Sequence, residues 1–170
     1  MILSINQIYH DQNLILGEKY DIINYYFLLG GIALSPRLYE ALPPEDAGMM
    51  NALQLAYIGD VVWETIIRET MIHRGLNLHH MHSACVEYVN AHAQAGFMKN
   101  IAEMLEEHEV EISRRGRNAH ARHPAPRNQD PGDYAAATGF EAFIGYLYLT
   151  GRDDRIESLA RTIIGGMENG

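Results

Sequence analysis

Two acids in this sequence sit where acids are costly. Asp60 follows Gly59 inside the apolar helical run Leu53–Trp63 (LQLAYIGDVVW), and Glu141 is the only charge in Ala137–Leu149 (ATGFEAFIGYLYL), with Gly145 one turn further on the same face. An ionised carboxylate on an apolar face has to be neutralised by a metal ion or an arginine, or else be exposed at a groove. Glycine destabilises a helix by about 1 kcal/mol relative to alanine, so glycines beside both acids predict two helices crossing closely enough to bring the carboxylates together. Two carboxylates converging in a groove suit Mg²⁺, a hard cation that takes oxygen ligands and keeps waters for substrate phosphates to displace. The same residue types also fit two solvated acids at helix edges, or carboxylates paired with arginine.

The elements that must position them are helical. From Asn51 onward the apolar spacing is that of helices, and no strand-like alternation persists for more than a few residues. The first helix runs to about Arg74, where Gly75 supplies a stop, and Leu53, Tyr57, Trp63, Ile66, Ile67 and Thr70 recur at helical spacing as its core face. Tyr57, Ile58, Val61, Val62 and Trp63 surround more of it than one core stripe can absorb, which predicts a covering partner, a second copy of the chain. Glu64 shares Asp60's face, either as a supporting acid or as the i,i+4 partner of Arg68. His79, His80, His82 and His92 invite a zinc reading, but no third ligand falls at ligand spacing, so surface histidines are expected on a helix whose stripe is Met81, Cys85, Tyr88, Val89 and His92. Cys85, the one cysteine, excludes an internal disulfide and reads as a small buried hydrophobe. A further helix over Gln94–Glu107 places Phe97, Ile101, Met104 and Leu105 inside and Glu103, Glu106, Glu107 and Glu109 in solvent. Asp133 reads as the N-cap of the Glu141 helix, and a last helix from Asp154 to about Gly165 as a lid over the core.

The net charge is −9, with 47% apolar and 21% charged residues, which fits a packed domain and not a general nucleic-acid coat. The distribution is more informative than the sum. Arg114, Arg115, Arg117, Arg122 and Arg127, five of the thirteen basic residues, fall in a window that has no acid and also holds His120 and His123. Pro124, Pro126 and Pro131 bar a continuous helix there, so the arginines after Gly116 are expected on a surface loop. That loop is either a grip for phosphates or a solvated linker whose charges offset acidic helices.

LAYIGD and its apolar helix, then RRGRNA, a proline-rich loop and YAAATGFEAFIGYLYL together resemble, in order and spacing, the Mini-RNase III family, bacterial RNase III relatives without a double-stranded-RNA-binding domain. The likeness runs from about Asn51 to the end. It implies an all-α RNase III-type helical domain over residues 46–170, with Asp60 and Glu141 as catalytic Mg²⁺ ligands and Arg114, Arg115, Arg117, Asn118, Arg122 and Arg127 contacting RNA. It further implies a cytoplasmic homodimeric endoribonuclease that hydrolyses double-stranded RNA to 5′-phosphate and 3′-hydroxyl ends. The expected substrate is the 23S ribosomal RNA precursor, and a large-subunit ribosomal protein is a candidate partner. The alternative is a catalytically silent RNase III-like domain that binds structured RNA on ribosomes. RNase III enzymes carry a glutamate where Ala56 stands and an aspartate where Thr138 stands, a departure that matches the Mini-RNase III pattern and leaves fewer carboxylates to hold metal.

Residues 1–45 read as an extension outside the resemblance, or as the product of a start upstream of one near Met49 or Met50. Within it Ile22–Leu34 is the longest apolar run, but thirteen residues with Asn24 inside are too few to cross a bilayer, and the acids before it do not suit a signal peptide. No membrane role is expected. Pro44-Glu45-Asp46 reads as a linker into the first helix.

Overall fold

The computed structural model describes residues 38–119 and 129–168, all within the unit Leu34–Gly170. The expectations for Ile22–Leu34 and for His120, Arg122, His123, Pro124, Pro126 and Arg127 therefore lie outside the described residues. What is described is helical, without strands: α1 (Pro44–Met49), α2 (Ala52–His73), α3 (Leu78–Val89), α4 (Ala91–Ile101), a 3₁₀ turn at Ala102–Met104, α5 (Glu107–Ala119), α6 (Pro131–Leu149) and α7 (Asp153–Glu168).

Local chemistry sets the helix ends. Asn51, Asn77 and Asn90 each turn a side-chain oxygen onto a backbone amide in the first turn of α2, α3 and α4, at Leu53, His80 and Ala93. Asn90 thus divides the histidine-rich stripe: Cys85 and Tyr88 are buried on α3, whereas His92 is exposed on the next helix. Asp130, not Asp133, caps α6 by accepting from the amides of Gly132 and Asp133. The reason is Pro131, which lacks an N–H and fits the first helical position, so the cap falls one residue before it. Asp133 is left to pair with His92 at 2.7 Å. Gly75 and Gly151 stop α2 and α6 with φ of 70° and 72°. In each case the following amides return to the last turn, from Gly75 to Ile72 and Leu76 to Met71, and from Gly151 to Tyr148 and Arg152 to Leu147.

α6 is the central element. It packs against α2, α5 and α4, and buries every residue from Ala137 to Leu147 except Glu141. Trp63 of α2 fixes the junction: its ring meets Phe140 edge-on at 5.0 Å and Phe97 at 5.6 Å, and its Nε1 donates to the Tyr88 carbonyl. α7 closes the core with Ile156, Leu159 and Ile163, as the sequence suggested. Pro44-Glu45-Asp46 is no linker. Pro44–Met49 is a turn of helix with proline at its start, Ala47 is fully buried, and the Leu42 amide donates to Leu149 at 2.8 Å.

Glu109, expected in solvent, is fully buried. Arg155 of α7 donates to both its carboxylate oxygens at 3.2 and 2.9 Å, the Glu106 amide adds a third bond, and Arg152 lies at 3.4 Å. Burial alone would push this carboxyl up, but the Arg155 and Glu106 hydrogen bonds, with the charges of Arg155 and Arg152, hold it below the usual carboxylate range. Removing one partner leaves a buried charge unpaired. Arg155→Ala is expected to cost about 3 kcal/mol of stability in denaturant titrations at neutral pH. A carboxyl whose folded pKa is depressed stabilises above its unfolded pKa and loses that contribution as pH falls through the folded value, so the gap between variant and parent should close in acid.

Candidate active site

Asp60 and Glu141 meet because α2 and α6 cross antiparallel at glycine. A Cβ on Gly59 would fall on the Glu141 carbonyl, 2.7 Å from its carbon, and one on Gly145 would fall on the Leu55 carbonyl, 2.8 Å from its carbon. Any side chain at either glycine would separate the helices, and Asp60, next to Gly59, would move away from Glu141 with its helix. The opposite side of α6 is equally tight against α5, where a Cβ on Gly139 would sit 2.8 Å from the Ser113 carbonyl oxygen and one on Gly116 2.7 Å from that of Thr138. Glu141 is thus clamped between two helices.

Both carboxylates open into a cleft of about 390 Å³ whose walls include Ala56, Tyr57, Gln94, Tyr134 and Thr138. Burial, and then the neighbouring Glu64, raise Asp60 above the usual aspartate range. Glu141 is pushed up to about 8, by burial first and by the charge of Asp60 second, while Gln94 opposes the shift. Asp60 ionises first, so Glu141 must ionise against an existing negative charge in a half-dry site. Among the described residues no arginine or lysine pairs with either acid; Arg68, the nearby candidate, is engaged with Glu64 at 2.8 Å. The expected Glu64–Arg68 pair is therefore present, and its charge still reaches Asp60. Two converging carboxylates, both with raised proton affinity and one of them raised in part by the charge of the other, are a donor set suited to a hard divalent cation.

A second group with ligand atoms close together, Glu106, His108 and Glu109, is less suited, because Arg152 and Arg155 already supply its counter-charge. A depression of similar size, about 360 Å³, beside His92, Phe97 and Met167 offers one carboxylate, Glu87.

The arginine segment divides on inspection. Arg117 and Asn118 lie on the last turns of α5, which continues to Ala119, and not on a loop. The helix persists there because the prolines begin only at Pro124. Arg114 is exposed and grips Glu111 with two bonds of 2.7 Å. Arg115 is turned inward, donating to the backbone carbonyls of Gly48 and Met50, where it ties α5 to the α1–α2 junction. Arg117 and Asn118 remain exposed. Two functional details escaped the sequence: the structural use of Arg115, and Gln94, a buried amide in the cleft whose one signal is its place among Ala91, Ala95 and Phe97 on an apolar helix face.

An antiparallel glycine crossing that presents two acids to a cleft places the chain in a class that sequence comparison also identifies: residues 53–152 match the Ribonuclease III domain. The chain resembles a Mini-ribonuclease 3 from Symbiobacterium thermophilum, 41% identical over 119 residues that span 69% of this chain and 91% of that protein. A Mini-ribonuclease 3 from Clostridium tetani is 39% identical over 129 residues, covering 75% and 85%. The crystal structure of a Fusobacterium nucleatum protein superposes with a TM-score of 0.64 at 30% identity, over 70% of this chain and 95% of that one. The chain belongs to the Mini-RNase III family, and its all-α fold is that of an RNase III-type domain. It is accordingly an endoribonuclease acting on RNA. Among the described residues no helix is long and apolar enough to cross a membrane.

Proposed function

We propose that this chain is a Mg²⁺-dependent endoribonuclease that cleaves double-stranded RNA as a cytoplasmic homodimer, maturing the ends of 23S ribosomal RNA precursors, with a large-subunit ribosomal protein as a partner on that substrate. The observation that carries the reading is the convergence of Asp60 and Glu141 across the Gly59–Gly145 crossing, with no basic side chain among the described residues to neutralise them. The two acids would hold the ion. When bound, Mg²⁺ supplies a Lewis acid that acidifies a water and offsets charge on the phosphoryl oxygens, a route to 5′-phosphate and 3′-hydroxyl ends. α2 and α6 fix both ligands on helices, and Ala56 and Thr138 present small side chains in the cleft wall beside them.

A partner copy has a surface to cover. Val62 and Trp63 are absorbed by the core, but Tyr57 is 81% exposed and Val61, one turn on, 52% exposed beside the cleft. A twofold pairing through α2 would set two sites on one face, as cutting both strands requires, and light scattering at micromolar concentration should give a dimer.

Incubation with long duplex RNA, with and without Mg²⁺, is the direct test, and only the sample with Mg²⁺ should be cut. A-form RNA presents a shallow minor groove flanked by phosphates, so binding should depend on shape and charge. Arg117, Arg122 and Arg127 are the proposed phosphate ligands, with Arg114 and Asn118 beside them; Arg115, held by Gly48 and Met50, serves by positioning α5. Replacing Arg117, Arg122 and Arg127 together by alanine should weaken binding to all duplex sequences and flatten the salt dependence by about 0.7–0.9 log units for each phosphate no longer neutralised. An unchanged salt slope would reduce the segment to a solvated linker.

The cation also makes a prediction about stability. Glu141 has a raised folded pKa, so between its ordinary value and about 8 the folded state holds the extra proton, and the metal-free protein should lose stability as pH rises through that window. Mg²⁺ replaces that proton. Melting temperatures should therefore rise more on adding Mg²⁺ at about pH 8.5 than at about pH 5.5, and an equal rise at both would remove the coupling.

A further inference from the structure

Gln94 is a costly residue in its place. It lies on α4, 1% exposed, in the wall of the cleft that holds Asp60 and Glu141, and its amide nitrogen is fully buried without a well-formed hydrogen bond. Buried polar atoms in folded proteins nearly always have partners, because an unmet donor forfeits its hydration for nothing. The α4 neighbours of Gln94 are apolar: Ala95 and Phe97 are buried in the core, so a leucine or methionine would suit the helix better. The acceptor within its reach is the Glu141 carboxylate, which Gln94 already favours in the ionised form.

We infer that Gln94 is a positioning residue of the metal centre, whose side-chain amide takes one oxygen of the Glu141 carboxylate and leaves the other turned toward Asp60 and the cation. The inference rests on the metal-dependent reading above and adds to it a third polar group that neither acid spacing nor the comparisons single out. Physically, Glu141 alone is free to rotate about its last side-chain bond, and an ion held by two protein carboxylates gains if one of them is already oriented. The buried amide nitrogen lacks a full partner in the empty site, and a Glu141 carboxylate fixed in place by a cation would be the acceptor it lacks. Gln94 thus exchanges stability of the empty protein for affinity in the loaded one.

The test is a cation titration by thermal melting, without RNA, on the parent and on Gln94→Met, which keeps the volume and removes the amide. The metal-free melting temperature of Gln94→Met should equal or exceed that of the parent, while the Mg²⁺ or Mn²⁺ concentration giving half of the full melting shift should rise about 10-fold. Gln94→Asn, which keeps the amide but withdraws it by one methylene, should show the same displaced midpoint and guards against a folding failure of the methionine variant. An unchanged cation midpoint in both variants would overturn the inference, as would a parent that shows no cation shift. A variant with an unchanged cation midpoint but weakened duplex binding would overturn it too, assigning the amide to phosphate instead. Failure of the enzymatic reading is distinct: it appears as parent protein that binds cation and leaves duplex RNA intact.

Discussion

Asp60→Asn and Glu141→Gln should each reduce duplex-RNA cleavage by at least about 10²-fold while leaving the fold and RNA binding in place. Each acid is half of the proposed cation site, and loss of a ligand removes transition-state stabilisation of several kcal/mol in typical metal-dependent hydrolases. Neither carboxylate fills the core. Asp60→Asn also takes away the charge against which Glu141 ionises, so the metal-free variant should melt no lower than the parent at about pH 8.5. A cleavage time course, a gel shift with the same duplex and a melting curve together check it. Near-parental cleavage by either variant would end the assignment.

The second large effect concerns the crossing itself. Gly59→Ala and Gly145→Ala each place a methyl group onto the backbone of the facing helix, which no rotamer change can relieve. Backbone must move. Overpacking of this kind costs about 1–3 kcal/mol where side chains can adjust, and more is expected where the obstacle is a carbonyl group, so both variants should melt far below the parent or fail to fold. Separating α2 from α6 also moves Asp60 from Glu141, so any folded Gly59→Ala protein should lose its melting response to Mg²⁺. Gly96 provides the control, because a Cβ there meets nothing within 4 Å on the same kind of helix interior. Gly96→Ala should stabilise by up to about 1 kcal/mol, and if all three variants behaved alike, helix propensity and not the crossing would be governing them.

Much of the site was legible because its residues violate local preference. Asp60 and Glu141 are charges in apolar runs and Gly59 and Gly145 are poor helix residues beside them; four such exceptions in two helices announced a close crossing, and the structure contains it. Helix ends were partly legible for a similar reason. Gly75 marks the stop of α2 in sequence and structure alike, whereas the α6 cap lies three residues before Asp133, at Asp130, because Pro131 at the first helical position puts the cap on the residue before it. The helix expected over Gln94–Glu107 begins earlier and ends sooner, since Asn90 starts α4 and a 3₁₀ turn follows Ile101.

By itself the sequence determined which residues are chemically conspicuous and that the chain is helical, since both follow from side-chain type and from periods of three to four residues along the chain. Only the tertiary structure decided who faces whom. Glu109 looks like any surface glutamate until Arg152 and Arg155 arrive from α7, Arg115 looks like a phosphate ligand until the carbonyls of Gly48 and Met50 claim it, and Gln94 is an ordinary helix residue until α4 places its amide beside Glu141. The physical reason is that hydrophobic periodicity specifies that a face is buried, but not against what; the partner of a buried polar group is set by which helices cross, and in this chain the glycines of α2, α5 and α6 fix that crossing.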